Sequence, residues 1–293
     1  MESGTRHSPL GGIAVVLLAA VCISLSNVLT PVVYRTGTTV SALLVARFFV
    51  FPCLCLAWLK LQRSPMHMTG RERVISFVAG LFYMTGHGCL IGSFALLPVS
   101  LAILIFFTFP LVTLLMECLL DRRLPELLRI ACIVVALAGL TIALRVDLAA
   151  LTAEGIALAA TAAVCVATAF VCTGRTLAHV DSTLMTFHMA LSGLVLAVLY
   201  AAFTGRFSLH ISDPLEATSF AAAVLAFNAA FLAMYVGVRK IGASRAAMLM
   251  NMEPVFTIAL AVMVLGENLS AAQTFGAATV IAAVVTAQRQ NPS

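Results

Sequence analysis

Residues 248–267 read MLMNMEPVFTIALAVMVLGE, a run that is apolar along most of its length yet carries Asn251, Glu253 and Pro254 in its first half. About 20 mostly apolar residues are needed to cross the hydrocarbon core of a membrane as a helix. A carboxyl group at that depth is costly, so it is usually turned inward and used. Pro254 has no N–H to donate to the carbonyl of Met250, which weakens the helix there. A weakened helix beside a carboxylate is typical of a binding site inside a membrane protein.

The composition of the whole chain places it in the same class. Hydrophobic residues make up 62% and charged residues only 10%, with a mean hydropathy of +1.08. A soluble domain would carry about 25% charged residues. Long unbroken apolar runs favour helices over the short alternating strands of a barrel. We therefore predict an all-α integral membrane protein with ten spans, at 11–33, 39–59, 74–96, 99–120, 127–145, 155–174, 182–203, 217–238, 244–265 and 270–288.

The two halves of the chain repeat each other. Gly12 and Gly155 open similar segments 143 residues apart, and Pro110 and Pro254 stand 144 residues apart. We expect one repeat at 1–146 and a second at 147–293. Each repeat has five spans, an odd number, so the second must be inverted relative to the first around a central cavity. The prolines fall near the middle of spans four and nine, and we predict that they act as hinges.

Several short motifs carry a family resemblance. They are Glu253-Pro-Val-Phe256, Leu265-Gly-Glu267-Asn-Leu269, Gln273 and Gly276, with looser copies at Phe109-Pro-Leu111, Asp121-Arg-Arg-Leu124 and Gly139. This pattern resembles the EamA domain of the drug/metabolite transporter superfamily, over almost the whole chain. The resemblance implies a secondary carrier that exports small metabolites, with amino acids as the leading class. Drugs, purines and sugar phosphates are alternative cargoes, and a non-transporting membrane receptor is the alternative from another class.

Basic residues predict the orientation. If the N-terminus is cytoplasmic, the inside segments hold 13 of the 17 Lys and Arg residues, the outside segments hold Arg35, Arg145 and Arg206, and Arg47 lies within a span. This bias predicts that the protein spans a cell membrane, the inner membrane of a bacterium, with both termini in the cytoplasm. It also accounts for the net charge of +5, so no nucleic-acid partner is expected.

Two charged residues inside spans are the leading candidates for substrate contact. Arg47 would meet a substrate carboxylate, or serve as a structural partner of Glu253 or Glu117. Glu253 would meet an ammonium group or carry a proton, or else neutralise Arg47. The other candidate binding residues are polar or soft side chains in apolar spans: Tyr83, His87, His188, Asn228, Met250 and Asn251. For the histidines and Asn228, a simple packing role with one hydrogen bond stands as the alternative.

Missing motifs limit the chemistry. The sequence has no phosphate-binding Gly-Lys-Ser/Thr loop and no His-Glu-x-x-His, so neither direct ATP drive nor hydrolysis is expected. The eight cysteines lie within apolar spans and form no Cys-x-x-Cys pair, so we expect no metal site and no cofactor. The expected partners are a small-molecule substrate and the lipid bilayer. Proton coupling is left open, and a fused repeat needs no second copy to work.

Overall fold

The computed structural model describes residues 9–61, 67–93, 96–97, 99–144, 152–177, 179–265 and 270–289. All regular secondary structure in these ranges is helical, which confirms the predicted class. The first repeat contains α1 Pro9–Arg35, α2 Val40–Leu61, α3 Gly70–Ser93, α4 Val99–Phe106, α5 Phe109–Leu120 and α6 Leu127–Ala143. The second contains α7 Ala153–Thr176, α8 Ser182–Thr204, α9 Pro214–Ile241, α10 Ala243–Met250, α11 Glu253–Leu265 and α12 Ala271–Arg289.

Twelve described helices correspond to ten predicted spans because two spans are divided. Span four consists of α4 and α5, and span nine consists of α10 and α11. Seven segments are long and apolar enough to cross a membrane, and α6 and α12 contain shorter apolar stretches. The ends of most helices fall within a few residues of the predicted bounds. The larger differences are at the start of α3, four residues early, and at both ends of α9, three residues beyond.

The packing of the helices follows the sequence repeat. α1 packs along α9, and its equivalent α7 packs along α3 in the same way. At the start of α1, Gly12 lies against Ile241, and at the start of α7, Gly155 lies against Leu97. Leu97 and Ile241 are themselves 144 residues apart in the sequence. Equivalent residues thus make equivalent contacts, as expected of two inverted copies of one unit.

The last helix of each repeat packs against the other. α6 and α12 approach closely where Gly139 faces Gly276. A Cβ atom on Gly276 would lie 2.5 Å from the backbone carbonyl of Gly139. Small residues allow this close approach, because the size of the facing side chains sets the distance between packed membrane helices.

Two faces of the molecule are distinguished below by the ends of the helices. The basic face is the end where α5 and α7 finish and α10 begins, and it holds the side chains that we expect to be cytoplasmic. The opposite face is the end where α1 finishes and α9 begins. There, Thr39 donates its backbone N–H to the carbonyl of Ser208 at 2.9 Å, which ties the α1–α2 connection to the α8–α9 connection.

Candidate functional site

The breaks in spans four and nine lie at equivalent places. α4 gives way to α5 at Phe107 and Thr108, and α10 gives way to α11 at Asn251 and Met252. At the breaks, the N–H of Thr108 bonds the carbonyl three residues back at 3.1 Å, and that of Met252 does so at 3.0 Å. Pro110 and Pro254 are the second residues of the new helices, where a missing N–H is tolerated. The interruption occurs where the sequence predicts it, and its action as a hinge stays a prediction.

A proline alone does not divide a helix in this protein. Pro52 lies inside α2, which continues without interruption from Val40 to Leu61. The breaks in spans four and nine therefore need the residues before the proline as well. In span nine these include Asn251, a residue type with low helix propensity.

Arg47 lies in α2 and is held by α1. Its Nη2 donates to Ser26 Oγ at 2.8 Å and to Thr30 Oγ1 at 2.9 Å. The guanidinium carbon stands 4.7 Å from the centre of the Phe227 ring, a cation–π contact with α9. The side chain is buried, and its Nε has no hydrogen-bond partner among the described residues. Arg47 is thus placed by neutral groups and keeps an unused donor.

Glu253 opens α11 and is also held by α1. Asn27 Nδ2 donates to Glu253 Oε1 at 3.0 Å, and Ser24 Oγ donates to the Glu253 backbone carbonyl at 2.9 Å. Glu253 remains partly accessible, and Asn27 is exposed. The hydrogen bonds of Ser24 and Asn27 reach another helix, as expected for polar side chains in an apolar span.

The two charges do not pair with each other. The ion pairs found among the described residues do not include Arg47 or Glu253. Instead both are held by α1, where Ser26 and Thr30 bond the arginine and Asn27 bonds the carboxylate. One cation and one anion are therefore bonded to neighbouring faces of one helix, and neither forms an ion pair with another described residue.

Tyr83 and His87 lie together on α3, as their spacing predicts. Their rings are 4.4 Å apart, and His87 Nδ1 is 2.9 Å from the carbonyl of Tyr83. Tyr83 is close enough to interact electrostatically with both Arg47 and Glu253. Its ring also contacts Phe231 on α9 at 5.3 Å. These two residues thus belong to the same region as the two charges.

Three buried polar side chains in this part of the molecule lack partners. The amide groups of Asn228 and Asn251 make no hydrogen bond among the described residues, and neither does the hydroxyl of Tyr235. All three residues are at most 3% exposed. Buried polar groups are nearly always satisfied, so such a cluster indicates water, a ligand or another conformation. The sequence did not single out Tyr235, because a tyrosine in an apolar helix is an ordinary packing residue.

One predicted site residue lies apart from this set by its contacts. His188 on α8 places Nδ1 2.9 Å from the carbonyl of Leu184 in its own helix and packs its ring against Phe187. Met250, at the end of α10, is buried in the same hydrophobic core as Tyr83 and Tyr235. Glu267, one of the family-motif residues, lies outside the described residues. Sequence reasoning gave Ser26 and Thr30 no role, although they hold Arg47, because the alignment of α1 with α2 cannot be read from spacing alone.

Side chains along α1 are more exposed toward the opposite face than their equivalents along α7 are toward the basic face. On α1, Asn27 is exposed and Tyr34 is 38% exposed, and both lie about 120° or more around the helix from the exposed Val21. Tyr34 lines a concavity of about 500 Å³ together with the ends of α2 and α8. The equivalent residues of α7, Phe170 and Leu177, are each 1% exposed. At these two pairs of equivalent positions, α1 is thus exposed where α7 is buried.

One equivalence shows how the repeats have diverged at the site. Asn27 and Glu253, joined by a hydrogen bond, correspond to Phe170 and Phe109, whose rings pack 5.6 Å apart. A polar pair in one half is therefore an apolar pair in the other. The chemistry that would hold a charged ligand is concentrated on one side of the pseudo-symmetry axis.

Comparisons with known proteins agree with this architecture. The model of the EamA-like transporter family matches residues 10–145 and 153–287, once for each repeat. No curated protein matches the chain. One solved structure, described only as "Crystal structure of protein", is 20% identical over 94% of this chain and 98% of its own, with a TM-score of 0.74. That likeness shows the fold alone. Because the family model covers both halves, the chain belongs to the EamA-like transporter family.

Proposed function

We propose that the protein is a secondary carrier that exports small metabolites, most of all neutral and aromatic amino acids. The observation that carries the proposal is the pair of opposite charges bonded to neighbouring faces of α1, each without a counter-ion among the described residues. A zwitterion offers a carboxylate for Arg47 and an ammonium group for Glu253 in one molecule. The chain also resembles a bacterial exporter of aromatic amino acids in size and layout.

The surroundings favour an apolar side chain on the substrate. Aromatic rings from α2, α3 and α9 form a continuous cluster beside the charges, including Phe48, Phe231 and Tyr83. Phe231 and Tyr235 on α9 contact at 5.4 Å. Such rings bury large apolar groups and stack with other rings. The orphaned amides of Asn228 and Asn251 add donors and acceptors for a polar headgroup.

Transport would proceed by alternating access. In this mechanism the half-helices α4 and α10 move about the breaks at Pro110 and Pro254, and the site faces each side of the membrane in turn. The boundary of the repeats at 146 and 147, and cytoplasmic termini, are parts of the same proposal. Glu253 would also bind and release a proton during the transport cycle, and this exchange would couple export to the proton gradient.

The test is flux from proteoliposomes preloaded with labelled amino acids, with and without a pH gradient. We expect efflux of neutral and aromatic amino acids that falls at least about 30-fold in Arg47→Ala, because a buried charge left without its partner costs 2 kcal/mol or more. Glu253→Gln, which keeps the shape of the side chain, should reduce efflux and remove its response to the gradient. His179→Gln, at an exposed pair on the basic face, is the matched control and should leave efflux unchanged.

The outcome separates the cargo from the mechanism. If the folded protein moves no amino acid but releases nucleosides or cationic drugs, the amino-acid assignment is wrong but the proposed carrier function is supported. If it binds a ligand without moving any, the carrier itself is refuted in favour of a receptor.

A further inference from the structure

The ends of α5, α7 and α10 meet at the basic face through charged and hydrogen-bonded groups. Asp121 Oδ1 is 2.6 Å from Arg175 Nη1, which joins the first repeat to the second. One turn earlier on α5, the Glu117 carboxyl lies within hydrogen-bonding reach of the backbone N–H of Ser244, near the start of α10. These two contacts fasten α5 to the two elements of the second repeat that close this face.

The local backbone holds Asp121 in place for this contact. α5 ends at Leu120, and the turn that follows puts Arg122 at φ 52°, a left-handed conformation that non-glycine residues seldom adopt. The N–H of Arg123 bonds the carbonyl of Cys118 at 3.0 Å, and Arg123 Nε lies 3.2 Å from the other Asp121 oxygen. Asp121 thus receives one arginine from its own turn and one from α7. The hydrogen bond from Arg175 lowers the pKa of the Asp121 carboxyl, so the pair is ionised at neutral pH.

The opposite face has no equivalent of this arrangement in the sequence. The offsets of 143 and 144 residues map Arg175 onto Val32, Asp121 onto Leu265 and Glu117 onto Ala261. None of the three can form an ion pair. The difference agrees with the burial of the two faces, since α10 is buried along nearly its whole length while three residues of α4 are only half-buried.

We propose that Asp121, Arg175 and Glu117 form an electrostatic gate that keeps the basic face closed and must open before substrate can enter from that side. The proposal rests on the proposed carrier function and adds the residues that set its conformational equilibrium. Because the equivalent positions of the opposite face carry no charged groups, the empty protein favours the state in which the basic face is closed. Breaking the gate shifts this balance toward opening at the basic face.

The test uses two equivalent reporter positions in a background without native cysteines. Tyr34→Cys reports on the opposite face and Leu177→Cys, its counterpart 143 residues later, reports on the basic face. In Asp121→Asn and Arg175→Gln we expect maleimide labelling at Leu177→Cys to rise about twofold to fivefold, since half-exposed ion pairs contribute modestly. Labelling at Tyr34→Cys should fall in parallel. Arg123→Gln, which touches the same carboxylate without joining the repeats, is the control and should change neither rate.

The exchange of the two charges provides a second test. Asp121→Arg combined with Arg175→Asp should restore both labelling rates toward those of the unaltered protein. Unchanged rates in the single variants, or rates that rise at both reporters together, would refute the gate, because simple loosening exposes both faces. Labelling needs no substrate, so a reciprocal shift without amino-acid flux supports the gate while the proposed cargo fails. Amino-acid flux without a reciprocal shift in the labelling rates would support the proposed cargo and refute the gate.

Discussion

Replacing Pro254 with alanine should hinder the carrier by mending the break in span nine. In the structure the carbonyl of Met250 has no N–H to accept from four residues ahead, because that residue is Pro254. A proline in a helix interior costs about 3 kcal/mol relative to alanine. Removing that penalty favours a continuous α10–α11 helix by a factor of up to about 150. Since the half-helix must swing about the break, we expect the maximal efflux rate of Pro254→Ala to fall about tenfold or more.

Two measurements check this expectation. Initial efflux rates from proteoliposomes give the transport effect, and hydrogen exchange of the amides at residues 251–255 shows whether the helix has become continuous. Pro110→Ala should behave likewise in span four. Pro52→Ala is the matched control, because α2 is already unbroken at its proline and should lose no activity. Normal efflux in both hinge variants, with slowed exchange at the mended break, would show that the reasoning is wrong.

Three further predictions concern other parts of the molecule. Asn27→Leu should raise the half-saturating substrate concentration about tenfold, measured by efflux, because Glu253 loses a hydrogen bond to a charged group, worth about 1.5 kcal/mol. Gly276→Leu should lower thermal stability in detergent by about 1–3 kcal/mol through overpacking against α6, whereas Gly88→Ala, with open space around it, should not. The ion pair between Asp121 and Arg175 should hold at neutral pH and be lost as the pH falls through the lowered pKa of Asp121, followed as labelling of Leu177→Cys.

The sequence allowed the helices, the repeat and the two breaks to be predicted, because each is written in local patterns. Apolar runs predicted the spans, and the recurrence of Pro110 and Pro254 predicted where spans four and nine divide. Pro52 shows the limit of that reasoning, since the same residue type leaves α2 intact. A proline removes one hydrogen bond, and the neighbouring packing decides whether the helix yields.

The partners of the site residues could not be predicted in the same way. Arg47 and Glu253 were expected either to pair with each other or to remain free for a ligand, but the structure gives each of them neutral partners on α1. The rotation of α1 about its axis determines those partners, and apolar membrane helices carry little periodic signal for it. The open face could not be predicted from the repeat either. Two copies of one pattern give both faces the same expectation, and a difference appears only when single residues such as Arg175 and Val32 are compared.

The exchange of Asn27 and Glu253 for Phe170 and Phe109 has a consequence for the kinetics of the two sides. In the proposed alternating-access cycle, the polar pair would be covered and the aromatic pair exposed in the second state, so the two empty states would differ in free energy. A secondary carrier cannot use this difference to change the final concentration ratio, which the substrate and proton gradients determine. It can, however, spend most of its time in one of the two empty states, with its site facing one side of the membrane. The two compartments would then show different half-saturation concentrations for the same molecule.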